Sequence, residues 1–127
     1  MDQPITPGDW TYIDDPVASR ALFGPAGGAT LFTVACERTK RQVRLWRAAA
    51  ATGPVTMTIT TTESVSTASA AAAPGGLPQV VADFAPYDPA LDAMVFTRGR
   101  FAVQVPGAAT LYLPSWPEVA RVVEDCR

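Results

Sequence analysis

The chemistry open to this chain is limited first by what the sequence lacks. It contains no histidine and a single lysine, Lys40. Without histidine, neither Ser-His-Asp or Cys-His catalysis nor a histidine metal site can form. Lys40 lies between Arg38 and Arg41, where the burial that makes a lysine nucleophilic is not expected. The glycines of segment 24–28 lack the Lys-Ser/Thr pair of a phosphate-binding loop. We therefore predict no catalytic residue, no metal and no cofactor.

Carboxylates are the remaining groups with catalytic potential. Asp88 and Asp92 are four residues apart in a predicted short helix, and Asp83 precedes them. Two such acids could serve as general acid and base of a hydrolase, with Arg98 or Arg100 beside them. The alternative is structural, because aspartate at a helix N-cap and in its first turn stabilises the positive end of the helix. We favour the structural interpretation and keep the hydrolase as an alternative.

Basic residues are concentrated in one segment, residues 38–47, which we call the basic hairpin. It holds five of the ten lysine and arginine residues of the chain. One interpretation is a surface that binds an anionic ligand or an acidic protein through Arg41, Arg44, Trp46 and Arg47. The other, which we favour, is a solvated hairpin whose charges prevent aggregation between sheet edges.

The two cysteines, Cys36 and Cys126, lie 90 positions apart, and their spacing matches no metal or redox motif. Cys36 ends a β-prone stretch in which it shares a face with Phe32 and Val34. Cys126 is the second-last residue and continues the apolar stripe of a predicted helix. We predict a Cys36–Cys126 disulfide, which implies the periplasm or the cell exterior. The alternative is a pair of buried free thiols in a cytosolic protein.

The elements that must position these residues are mainly strands. Short stretches with β-prone or alternating patterns recur between turns rich in Gly, Pro and Asp. We predict about eight strands, drawn from residues 10–13, 20–23, 30–36, 42–47, 55–61, 65–70, 79–84, 101–105 and 110–113. In the tract 68–78, the alanine run 70–73 is followed directly by Pro74 and two glycines, so it is too short and too broken for a helix and is predicted to be a flexible loop.

Two short helices complete the prediction. The first begins with Asp88 as N-cap and Pro89 as the first helical residue. The second is predicted to begin with a capping box between Ser115 and Glu118. Its apolar stripe comprises Trp116, Val119, Ala120, Val123 and Cys126.

Composition agrees with a single globular domain. Hydrophobic residues make up 48% of the 127-residue chain, charged residues 17%, and the net charge is −2. This charge gives no general attraction to nucleic acid, and no apolar run is long enough to span a membrane. We predict a flexible tether over residues 1–8 and one monomeric β domain over residues 9–127. Its fold is expected to be an antiparallel sandwich or small barrel with two short helices.

Several motifs are similar to small secreted or lipid-anchored proteins of alphaproteobacteria, a family of unknown function. They are Trp10-Thr11-Tyr12, Ala21-Leu22-Phe23-Gly24, Phe32-Thr33-Val34-Ala35-Cys36, Leu91-Asp92-Ala93-Met94, Arg98-Gly99-Arg100-Phe101, Leu113-Pro114-Ser115-Trp116-Pro117-Glu118 and Glu124-Asp125-Cys126-Arg127. A more distant resemblance is to invasion-associated locus B-type β domains and small periplasmic inhibitor barrels. The resemblance implies a compartment and assigns no functional residue.

From these observations we expect a non-enzymatic binding or accessory domain in the periplasm or outside the cell. No positively charged start with an apolar stretch marks a signal peptide. A lipid or membrane anchor ahead of residue 1 remains an open alternative. The other functional alternatives are the carboxylate-dependent hydrolase and a purely structural envelope lipoprotein domain.

Overall fold

A computed structural model describes residues 3–127, which form nine strands and two helices. Neither helix in this range is long and apolar enough to cross a membrane. The strands are β1 (Asp9–Asp14), β2 (Ala18–Gly24), β3 (Phe32–Glu37), β4 (Gln42–Ala48), β5 (Val55–Thr60), β6 (Val65–Ala72), β7 (Gln79–Phe84), β8 (Arg100–Gln104) and β9 (Leu111–Pro114). The helices are α1 (Pro89–Phe96) and α2 (Pro117–Asp125).

All nine strands belong to one curled antiparallel sheet, with the order β1-β2-β3-β4-β7-β6-β5-β8-β9. The curl brings the two outermost strands together. The Trp10 indole of β1 donates a hydrogen bond to the Pro114 carbonyl of β9 at 2.8 Å. Just before β1, the Thr6 amide donates to the Tyr112 carbonyl at 2.8 Å. The prediction of a mainly β, barrel-like fold is therefore confirmed. Met1 and Asp2, the start of the predicted tether, lie outside the described residues.

The core lies inside the curl and is built by the alternating apolar positions of the strands. Phe32 of β3 is 1% exposed and contacts Trp10 of β1 and Phe101 of β8 edge-on, with both ring centroids at 6.5 Å. Because β3 and β8 lie five positions apart in the strand order, the Phe32–Phe101 contact is made across the curl, whereas Trp10 lies only two strands from Phe32 in the same sheet row. Phe32 is thus central to holding the sheet in its curved form.

Helix α2 covers the core beside β1, β2 and β3, and a disulfide fixes its end. Cys36 of β3 is bonded to Cys126, with their Cα atoms 5.5 Å apart, so the predicted bridge is confirmed. Val119 and Val123 are buried as the apolar stripe predicted, and Val122 is buried with them. The bridge therefore joins the last residues of the chain to a central strand.

The predicted capping box at the start of α2 is wrong. The N-cap residue is Trp116, no side chain caps the helix, and Trp116 is 39% exposed rather than part of the buried stripe. The Ser115 hydroxyl lies close to the carbonyls of Met94 and Val95, at 3.1 and 3.0 Å. These carbonyls belong to the last turn of α1 and have no partner within that helix. Ser115 therefore caps the preceding helix instead of its own.

The alanine-rich tract is also more ordered than predicted at its start. Strand β6 continues to Ala72, with Ala71 and Ala72 opposite Val81 and Val80 of β7, and Ala70 is fully buried. Alanine has a low intrinsic preference for strands, so the sequence signal was weak there and pairing with β7 decided the structure. The loop is confined to residues 73–78.

The turn between β1 and β2 is organised by Asp15. Its Oδ1 accepts hydrogen bonds from the amides of Ala18 and Val17, at 2.8 and 3.0 Å. Chiefly because of these two bonds, with a smaller contribution from the charges of Arg20 and Arg38, the pKa of Asp15 lies below its usual value of 3.8.

This lowered pKa predicts a dependence of stability on acid. Asp15 binds its proton less readily in the folded chain than in the unfolded chain, so its carboxylate stabilises the fold above pH 3.8. This stabilisation is lost as the pH falls through the folded-state pKa of Asp15. Asparagine keeps the acceptor oxygen but does not titrate, so Asp15→Asn is expected to lose less stability on acidification than the wild type. Urea unfolding midpoints on both sides of this pH range test it. Identical acid dependence of the two proteins would contradict this role of Asp15.

Candidate ligand-binding trough

A trough lies on the face of β2, β3 and β4 that points away from the core. Across this face Leu22, Thr33 and Trp46 stand opposite one another in neighbouring strands. The next row on the same face contains Arg20, Ala35 and Arg44. The middle strand thus contributes small side chains between larger ones, so β3 forms a low floor between two walls.

Two loops extend these walls and give the trough its volume of about 590 Å³. One loop precedes β3 and the other precedes β7. The trough is lined by Ala18, Arg20, Leu22, Ala29, Thr30, Thr33, Ala35, Glu37, Trp46, Ala48, Leu77, Pro78 and Gln79. Most of these side chains are apolar, and the volume falls within the range of about 300–1,000 Å³ that is typical of small-molecule sites. The trough therefore has the size and character of a ligand site.

Arg20 and Glu37 are the two charged side chains that line the trough. Glu37 already has partners, because Arg44 lies 3.4 Å and Lys40 3.8 Å from its carboxylate oxygens. Arg20 is less well paired. Its Nη2 lies 3.6 Å from Asp15, and its Nε is buried without a hydrogen-bond partner among residues 3–127. Arg20 is therefore the charged group of the trough with unused hydrogen-bonding capacity.

Of the four residues predicted to bind, Arg44 and Trp46 share a face. The Arg44 Nε donates to Asp83 at 2.8 Å, and its guanidinium lies 5.8 Å from the centroid of the Trp46 ring. The hydrogen bond to Asp83 is the main reason that the pKa of Arg44 is raised. Its charge is thus balanced within the sheet, while Trp46 lines the trough.

The other two predicted binding residues do not join this face. Arg41 lies in the turn before β4 with φ of 47°, and its guanidinium donates to the Arg127 carbonyl at 3.3 Å. Arg47 is 5% exposed and donates to the carbonyls of Ala48 and Ala109, at 2.5 and 2.8 Å. Burial lowers the pKa of Arg47. Because successive strand residues point to opposite faces, Arg47 lies on the face opposite Arg44.

The three carboxylates of the hydrolase alternative have separate partners. Asp83 pairs with Arg44, and Asp88 accepts the Ala90 amide at 2.9 Å, which confirms its predicted role as an N-cap. Asp92 forms an ion pair at 2.8 Å with Arg127. Each of the three carboxylates is therefore engaged by a different group.

Arg98 and Arg100, the suggested partners of these acids, are not paired with them among the described residues. Within residues 3–127, neither Arg98 nor Arg100 forms a salt bridge. The Arg100 guanidinium donates instead to the carbonyl of Gln3. In the same part of the chain, no three acidic or cysteine side chains are grouped so that they could hold a metal ion.

Sequence reasoning singled out Trp46 but missed the rest of the trough. The alternation of β3 already placed Thr33 and Ala35 on one face as small residues. Recognising a floor also required knowing that β2 and β4 flank β3 and that the loop carrying Leu77 reaches them.

The comparisons with known proteins add no further assignment. No family model, curated protein or solved structure matches this chain. The candidate function therefore rests on the geometry and chemistry of the trough.

Proposed function

We propose that this protein is a non-enzymatic binding domain that acts outside the cytoplasm and holds a small, mainly apolar ligand in the trough. The observation that carries this proposal is a concave surface of about 590 Å³ with Trp46 in its lining, on the sheet face opposite the core. A ligand in this position would remove apolar side chains from water, which stabilises a complex by about 25 cal/mol for each Å² buried.

Leu77 supports an apolar ligand. Its side chain is 74% exposed although it lines the trough, so the free protein leaves this leucine in water. Trp46 contributes a large rigid ring, which can make extensive contact with little loss of conformational entropy. Both residues therefore become better covered when a ligand lies between them.

The trough is a better candidate than the basic hairpin alone. Arg44 is engaged by Asp83 and Glu37, and Arg47 is buried on the other face, so these two guanidinium groups offer little free charge to an anion. The hydrolase alternative has no specific support, because its three carboxylates already have structural partners.

The disulfide supports the proposed location. A bond between Cys36 and Cys126 persists where thiols are oxidised, as in the periplasm or outside the cell. We extend the proposal to a monomer of the secreted or lipid-anchored type that the sequence resembles.

The trough can be tested with the neutral fluorescent probe N-phenyl-1-naphthylamine. We expect the wild type to bind it, and Thr33→Phe to weaken binding about tenfold because the new ring fills the floor between Leu22 and Trp46. Thr58→Phe is the matched control, since Thr58 lies on β5 and does not line the trough. Fluorescence titration measures the dissociation constants.

Two results would contradict the proposal. The first is that the folded wild type fails to bind the probe, which would favour the purely structural alternative. The second is that Thr33→Phe and Thr58→Phe both bind the probe as the wild type does, which would place the probe elsewhere on the protein. Circular dichroism spectra of the variants establish that each protein is folded.

A further inference from the structure

We infer that the ligand of the trough is an anionic amphiphile, a monocarboxylate with an alkyl chain, whose head group binds Arg20. This inference rests on the proposed function and specifies the ligand class for the same site. It is carried by the position of a poorly paired arginine within an otherwise mainly apolar lining.

The register of the sheet defines where Arg20 lies. It stands opposite Ala35 of β3, one outward-facing row from the pair formed by Leu22 and Thr33. The lining continues past these residues to Thr30 and to the loop that carries Leu77. From Ala35 to Thr30 is five residues, or about 17 Å at the usual rise of a strand. A ligand with its head at Arg20 would therefore place an extended apolar chain along β3.

Arg20 has hydrogen-bonding capacity that its own surroundings do not use. Its Nε is buried without a partner among the described residues, and its nearest carboxylate, on Asp15, lies 3.6 Å from Nη2. The other oxygen of Asp15 accepts the amides of Val17 and Ala18. The Arg20 side chain as a whole is 43% exposed, so a ligand carboxylate could approach its guanidinium and bind it through two parallel hydrogen bonds, the geometry that arginine favours.

Glu37 is the one acidic side chain that lines the trough, and it would repel an anion if it were unpaired. Its two oxygens lie near Arg44 and Lys40, at 3.4 and 3.8 Å. These cations offset the negative charge of Glu37. An anionic head group in the trough is therefore attracted by Arg20. A neutral amphiphile of the same chain length would make the same apolar contacts but would lack the attraction to Arg20.

The test compares decanoate with decan-1-ol as competitors of bound N-phenyl-1-naphthylamine, below the concentrations at which they form micelles. We expect the wild type to bind decanoate about tenfold more tightly than the alcohol. Arg20→Gln is expected to reduce this preference to less than about twofold, measured as the ratio of the decanoate and decan-1-ol affinities within the variant. Arg98→Gln is the matched control, because it removes the same charge from a residue outside the trough.

Equal affinities for decanoate and decan-1-ol in the wild type would overturn the head-group inference while leaving the trough as the site. A preference that persists in Arg20→Gln would overturn the assignment to Arg20. Failure of the wild type to bind the neutral probe would instead remove the proposed function, and the inference with it.

Discussion

Replacing both Cys36 and Cys126 with serine is expected to lower the free energy of unfolding by about 4–5 kcal/mol. The bridge closes a loop between residues that are 90 positions apart, and it therefore strongly restricts the unfolded chain. The loss is comparable to the total stability of a modest domain. For a chain of this size it corresponds to a fall in melting temperature of roughly 15 °C.

Thermal and urea unfolding of the double variant and the wild type measure this difference. Reduced wild type is the matched control, because it loses the covalent bond without a change of sequence. Intact mass after alkylation, with and without reductant, reports whether the bond is present. Equal stability of the oxidised wild type and the double variant would contradict the role that we give to the bridge.

The second large effect is expected at the centre of the core. Phe32→Ala should destabilise the protein by about 3–5 kcal/mol, because it removes a buried ring and leaves a cavity. Phe32 also contacts Phe101 of the distant strand β8, so its loss weakens the contact across the curl. Urea unfolding monitored by circular dichroism measures the change.

Phe96→Ala is the control for that substitution, since it makes the same chemical change at the end of α1, where Phe96 is 76% exposed. We expect it to change stability by less than about 0.5 kcal/mol. If the two variants were equally stable, Phe32 could not have the central packing role that its contacts indicate.

Most of the fold could be predicted because its signals are local. Alternation located the strands, and the stripe of α2 together with the alternation of β3 placed Cys36 and Cys126 on buried faces. The errors came from positions where a distant partner decides. Ser115 lies near the carbonyls of another helix, and Ala71 and Ala72 become part of a strand by pairing with β7.

The trough was not predictable in the same way, because the loop before β7 reaches the face of β2, β3 and β4 from a distant part of the sequence. Trp46 was identified from its type and its neighbours, while Arg20 and Leu77 gave no local signal. Arg47 shows the opposite case. Its distance of three residues from Arg44 already predicted that the two side chains point to opposite faces of the strand. Both were nevertheless assigned to one binding surface, because the basic residues cluster in the sequence.

Strand β3 contributes to both the core and the trough. Its inner face carries Phe32 and Cys36, which hold the core and α2, and its outer face carries Thr33 and Ala35, which form the floor of the trough. The covalent and aromatic contacts on one side therefore fix the surface on the other. We expect this rigid support to keep the proposed site preformed in the absence of ligand.

The most direct test of the central claim is a ¹⁵N–¹H correlation spectrum of the wild type titrated with decanoate. The account predicts that the largest shifts fall on trough residues of β2, β3 and β4, including Arg20, Thr33 and the Trp46 indole, and on the loop at Leu77. Shifts confined to other surfaces, such as the exposed aromatic residues Phe96 and Trp116, would contradict it. So would a spectrum that does not change at saturating ligand.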